Sequence, residues 1–202
     1  MIRNILFDLD GVLFDGCDFH AEMFIEALTR ILPEQQISRK YHDSHLNALP
    51  TKEKLKQLQI HPTTAQKIYS LKQELTASKI GEFIHPDKKV EDICIHLRSM
   101  GYQLFCVSNS IRSTIETCLS GMGVRKYFTG VISNEDVSAP KPNPEPYLTL
   151  YRLYGLEPTD CLILEDSEHG IASARASGAH VLPVRNCEDV TLELILAKLE
   201  TL

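Results

Sequence analysis

Several features that would announce a function at once are missing from these 202 residues. No window approaches the roughly 18 uncharged apolar residues of a membrane helix. The apolar opening is cut short by Asp8 and Asp10, so it does not read as a secretory signal. Positive charge is in deficit: 21 Lys and Arg stand against 27 Asp and Glu, a formal −6, which leaves no basic field for nucleic acid or an anionic membrane. The six cysteines, Cys17, Cys94, Cys106, Cys118, Cys161 and Cys187, form no CxxC pair and mostly sit inside apolar runs, as reduced core residues do and a disulfide framework does not. Internal repeats, low-complexity tracts and long charge runs are also absent. Together these absences point to a cytoplasmic protein working on a small molecule, with a monomer as the default state. At 43% hydrophobic, the chain can bury the core of one ordinary domain plus an insert.

What is present is periodic. In the second half, Asp87 can cap a helix carrying Val90, Ile93, Cys94, Leu97 and Met100 at helical spacing, and Gly101 supplies its stop. A strand over 102–107, a helix striped by Ile111, Ile115, Leu119 and Met122, and a strand over 130–133 follow. Asn143 and Pro144 offer an N-cap and a first-turn proline for a helix ending near Gly155. "CLILE" at 161–165 is apolar nearly throughout, as a strand covered on both faces should be. A small-residue helix over 168–176, a strand "HVLPV" and a last helix from about Asp189 complete the series. Strands alternating with helices predict an α/β fold, a Rossmann-like core with a parallel sheet flanked by helices. Residues 15–84 differ, with helical stripes such as Met23, Ala27 and Ile31, then Leu55 and Leu58, then Ile68, Leu71 and Leu75, and no convincing strand. The expected organisation is therefore a core made of 1–14 and 85–202 with a helical insert at 15–84 after the first strand. The competing reading is one continuous domain with long helices on a sheet face.

Open parallel sheets bind ligands beyond the carboxyl ends of their strands. Four strands here deliver polar groups to that rim: Asp8, Asp10 and Gly11; Ser108, Asn109 and Ser110; "APKPNP" with Lys141; and Glu165 with Asp166. Carboxylates of Asp8 and Asp166 facing each other suit a hard octahedral ion such as Mg²⁺, which offsets their repulsion. Asp8 then stays ionised and can attack phosphorus in a phosphate monoester. Lys141, the Ser108 hydroxyl and nearby backbone N–H groups can stabilise the charge on the transferring group. Asp10, one position past Leu9, can protonate the leaving alkoxide and later take a proton from water.

"DLDGV", "SNS", "KPNPEPY" and "EDSEHGIASARASGA" resemble, in order and at fitting intervals, the four motifs of the haloacid dehalogenase-like superfamily, in its phosphatase and phosphomutase branch with a helical cap after the first motif. That resemblance implies a nucleophile at Asp8, a general acid/base at Asp10, a phosphate-binding hydroxyl at Ser108 and a cation at Lys141. It also implies Mg²⁺ held by Asp8, the Asp10 carbonyl and Asp166, with Glu165 as a further ligand or a support beside it. Gly11 and Asn109 at the rim, and His20 and Lys52 in the insert, are the expected contacts to a small phosphorylated metabolite. Position 16 is Gly where many relatives carry Thr or Ser.

Each residue has a plainer reading. Asp-x-Asp-Gly is commonly a turn, Ser108 and Asn109 can cap the next helix, Lys141 can be a solvated loop residue and His20 a helix-surface histidine. The remaining histidines, His42, His45, His61, His85, His96, His169 and His180, show no metal-ligand spacing. The dehalogenase branch dispenses with the second carboxylate and with Mg²⁺, so Asp10 and Asp166 favour phosphoryl transfer. A sugar phosphomutase of the β-phosphoglucomutase type and a binding module without turnover stay open beside a phosphatase.

Overall fold

The computed structural model describes residues 1–47 and 49–202, and the chain divides into two compact units, Met1–Asp15 with Ile84–Leu202, and Gly16–Phe83. The first unit is an α/β sheet structure. Its five parallel strands are β1 (Asn4–Phe7), β2 (Gln103–Val107), β3 (Phe128–Ile132), β4 (Cys161–Glu165) and β5 (His180–Pro183), in the order β3-β2-β1-β4-β5. The chain walks outward from β1 to β3 and then returns to lay β4 on the other flank of β1. That reversal puts a switch point between β1 and β4, where their carboxyl ends open a crevice. β1 and β4 are buried at every residue, as central parallel strands covered on both faces must be.

Helices α5 (Lys88–Ser99), α6 (Arg112–Gly121), α7 (Glu145–Tyr154), α8 (Glu168–Ala176) and α9 (Leu192–Leu199) belong to this unit. α5 begins where the Asp87 carboxylate accepts from the Val90 N–H at 3.0 Å, and it buries Val90, Ile93, Cys94 and Leu97. Met100 falls just past the helix and is exposed. Leu6, Phe105, Val107, Ile132, Tyr147, Leu150 and Ile163 form a core beneath α7. Two boundaries differ from expectation. Pro144, not Asn143, is the residue at the start of α7, while the Asn143 side chain still accepts from the Glu145 N–H at 2.9 Å. The last helix starts at Leu192 behind a Thr191 cap, because Asp189 is held by Arg185 in the preceding turn.

The second unit holds α1 (Cys17–Ile31), α2 (Arg39–His45), α3 (Thr51–Gln57) and α4 (Pro62–Phe83). α1 packs chiefly on α4, with Phe19, Met23, Phe24, Ala27 and Leu28 buried on one and Ile68, Leu75 and Ile80 on the other. α2 carries no apolar stripe. Its one buried residue is His42, so periodicity alone does not reveal it. Cys94, Cys106, Cys118 and Cys161 are buried thiols outside any disulfide. No helix among the described residues is long and apolar enough to cross a membrane.

Candidate active site

The sheet brings its polar strand ends together beside the switch point. Asp8 extends β1 by one rung, its N–H donating to the Leu164 carbonyl at 3.1 Å, which fixes the carboxylate beside the end of β4. The chain then turns on the Leu9 carbonyl, which accepts from the N–H groups of Leu13 and Phe14 at 2.9 Å each. Gly11 in that turn has φ +86°, and a Cβ there would lie 2.0 Å from Asp166 Oδ2. Only glycine meets both demands, the left-handed backbone and the close approach of a carboxylate.

Lys141 is 3% exposed, so the solvated-loop reading fails. Its ammonium donates to Asp8 Oδ1 at 2.8 Å, to the Val107 carbonyl at 2.6 Å and to Glu165 Oε1 at 2.5 Å, using all three protons. Burial works against this charge, yet Asp8 and Glu165 hold Lys141 well above the ordinary lysine range. For Asp8 and Asp166 the upward direction favours the neutral form instead. Burial, then the Glu165 charge, raises Asp8 well above the usual carboxylate range, with Lys141 opposing. Burial and Glu165 likewise push Asp166 up to about 6. Three carboxyl groups around a single ammonium leave negative charge in excess.

That excess is what a divalent cation neutralises. Asp8, Glu165 and Asp166 offer oxygens that all lie within 4.8 Å of one another. Glu165 Oε2 and Asp166 Oδ1 are buried and have no hydrogen-bond partner among the described residues. Buried carboxylate oxygens normally find donors. Two orphans at one all-oxygen site fit a hard ion such as Mg²⁺.

Ser108 extends β2, its N–H donating to the Ile132 carbonyl at 3.0 Å, and its hydroxyl oxygen accepts from the Ser110 N–H at 3.0 Å. Neither Ser108 nor Asn109 caps α6: Ile111 holds that position, and the Arg112 N–H is received by Glu135. The Asn109 side-chain amide accepts from the Lys141 N–H at 3.0 Å and donates to the Lys141 carbonyl at 3.2 Å. Asp10 Oδ2 accepts from the Ser110 hydroxyl at 3.0 Å. His20 and Lys52 belong to the helical unit. His20 is half-buried on α1 with Nδ1 3.4 Å from Lys72 Nζ, and exposed Lys52 lies 5.4 Å from the Tyr69 ring centre.

Sequence reasoning gave no role to Tyr147 and Gly170, and placed Ser110 at the rim without one. The buried Tyr147 hydroxyl donates to Glu165 Oε1 at 2.8 Å, and burial, followed by Glu165, raises its own pKa well above the ordinary value. A signal existed, since a tyrosine at the end of "KPNPEPY" on a buried helix face must find its hydroxyl a partner. Gly170 in the first turn of α8 lies against Glu165, where a Cβ would come within 1.9 Å of Oε2.

A family sequence model described as haloacid dehalogenase-like hydrolase matches residues 5–184. The chain is 28% identical to fructose-1-phosphate phosphatase YqaB of Escherichia coli over 189 residues, 90% of this chain and 96% of that one. It is 27% identical to pyrophosphatase PpaX of Bacillus velezensis over 178 residues, 88% of this chain and 80% of that one. In fold it is similar to a β-phosphoglucomutase from Clostridium difficile, with a TM-score of 0.83 at 20% identity, covering 100% of this chain and 98% of that one.

Proposed function

This chain belongs to the haloacid dehalogenase-like hydrolases, and from that premise we propose that it is a Mg²⁺-dependent phosphatase of a small phosphate monoester, with Asp8 as nucleophile. The observation that carries this reading is the buried Lys141 ammonium joined to Asp8 and Glu165, with Asp166 within 4.8 Å of both acids. Lys141 occupies Asp8 Oδ1, which orients the carboxylate and leaves its second oxygen to attack phosphorus. The ester P–O bond breaks as the Asp8–phosphorus bond forms, and Asp10 gives its proton to the departing alkoxide. Asp10, now a carboxylate, takes a proton from the water that attacks the aspartyl-phosphate, releasing phosphate and regenerating Asp8. Ser108 at the end of β2 donates its hydroxyl proton to a phosphoryl oxygen.

Asp8, the Asp10 carbonyl and Asp166 would hold the ion, with Glu165 beside them. Bound Mg²⁺ supplies positive charge next to Asp8 and to the phosphoryl oxygens. Raised pKa values are what a metal-free acidic site should show.

The names of the relatives support hydrolysis and suggest the first substrates to try: fructose 1-phosphate and pyrophosphate. The test is phosphate release from an aryl phosphate and from that panel, with and without Mg²⁺. Turnover should vanish on chelation and fall at least about 10³-fold in Asp8→Asn; undiminished activity in either arm would falsify the mechanism. Glucose 1-phosphate with a bisphosphate primer separates the phosphomutase, which would form the 6-phosphate with little free phosphate.

A further inference from the structure

We infer that Asn109 is a positioning residue for Lys141, fastening the backbone beneath the ammonium rather than meeting substrate with its side chain. The inference rests on the role given to Lys141 above. Lys141 stands between Pro140 and Pro142, neither of which has a backbone N–H. The Lys141 amide is therefore the sole main-chain donor across 140–142, and it goes to Asn109 Oδ1 at 3.0 Å. The same carboxamide returns a bond from Nδ2 to the Lys141 carbonyl at 3.2 Å. One side chain thus closes both polar groups of one residue, as a neighbouring strand would. A carboxylate in its place could accept but not donate.

Asn109 is itself anchored. Its carbonyl accepts from Asn134 Nδ2 at 2.7 Å, and the Asn134 N–H donates to the Ser110 carbonyl at 3.1 Å. The ends of β2 and β3 and the loop bearing Lys141 are joined through these two asparagines. At the far end of the side chain the ammonium has no spare proton, being held by Asp8, Glu165 and Val107. Releasing the backbone shifts a group whose three bonds all need the present position, and small displacements of a catalytic group are costly.

A double-mutant cycle on kcat/KM for an aryl phosphate and on the dissociation constant of inorganic phosphate, read by calorimetry, tests this, with unfolding midpoints recorded for each variant. Asn109→Ala should lower kcat/KM at least about 10-fold in the wild-type background. In Lys141→Ala it should add less than about 2-fold, because the group it positions is gone. Phosphate binding, readable even where turnover is lost, should show the same non-additivity. Should Asn109→Ala fail to fold, Asn109→Asp, which keeps the size and one of the two bonds, replaces it. Additive effects on either readout, or an Asn109→Ala variant within about 2-fold of wild type, would overturn the inference. A Lys141→Ala enzyme with full activity would overturn the proposed mechanism instead, which keeps the two failures apart.

Discussion

In the sheet unit the buried ammonium of Lys141 lies between two carboxylates, Asp8 and Glu165, whereas in the helical unit the buried ammonium of Lys54 lies 2.8 Å from His42 Nε2 and 5.3 Å from the centre of the Phe24 ring. The first arrangement gathers groups 133 and 24 positions apart in sequence at strand ends. The second joins groups 12 positions apart on neighbouring short helices. An ammonium needs an acceptor, and imidazole accepts only when neutral. Burial, and next the Lys54 charge, lowers the His42 pKa accordingly. Protonation therefore acts in opposite senses at the two sites. Asp8 and Asp166 are pushed toward holding a proton, and His42 toward losing one.

The largest effect that could break this contrast is on stability. Lys141→Ala leaves Asp8 and Glu165 buried without their cation, and the unfolding free energy read in urea should drop by about 3–5 kcal/mol. A drop within ordinary surface range would mean the acids are already neutral and need no partner. Gly11→Ala follows. Its Cβ would strike Asp166 and its backbone would sit in a left-handed conformation, so about 1–3 kcal/mol of stability should be lost, together with Mg²⁺ affinity.

The smallest effect sharpens the comparison through pH. Asp166 has its folded pKa raised to about 6 from an ordinary 3.8, so in the metal-free protein its contribution is most favourable at low pH and is lost as pH rises through about 6. His42 has its folded pKa lowered from 6.5, so its contribution is complete above 6.5 and is lost as pH falls toward the folded value. Urea unfolding in chelator at pH 4.5 to 6.5 should show slopes of opposite sign when Asp166→Asn and His42→Gln are each subtracted from wild type. Lys54→Met should raise the His42 pKa followed by NMR, since Lys54 is one of the groups that depress it.

Legibility follows the same divide. The parallel α/β order and the rim residues Asp8, Glu165 and Asp166 could be read because a strand end fixes where the next residue stands, and the sheet order brings those ends together; Lys141, in the loop well beyond the end of β3, could be read only through its motif. The two-way bond from Asn109 to Lys141, the partner of the Tyr147 hydroxyl and the Ser110 hydroxyl on Asp10 could not be read, because each depends on which distant side chains the fold brings within reach. α2 escaped because its buried residue is a polar histidine, which no hydrophobic period marks. His20 and Lys52 sit on helices whose faces carry no motif of their own, so the sequence states their chemistry only by resemblance.

Calorimetric titration of Mg²⁺ into metal-free protein, compared between wild type and Asp166→Asn, addresses the shared-ion site most directly. The account predicts one ion per chain in the wild type and an affinity at least about 10-fold weaker in the variant. Equal binding by both proteins, or none in the wild type, would contradict it.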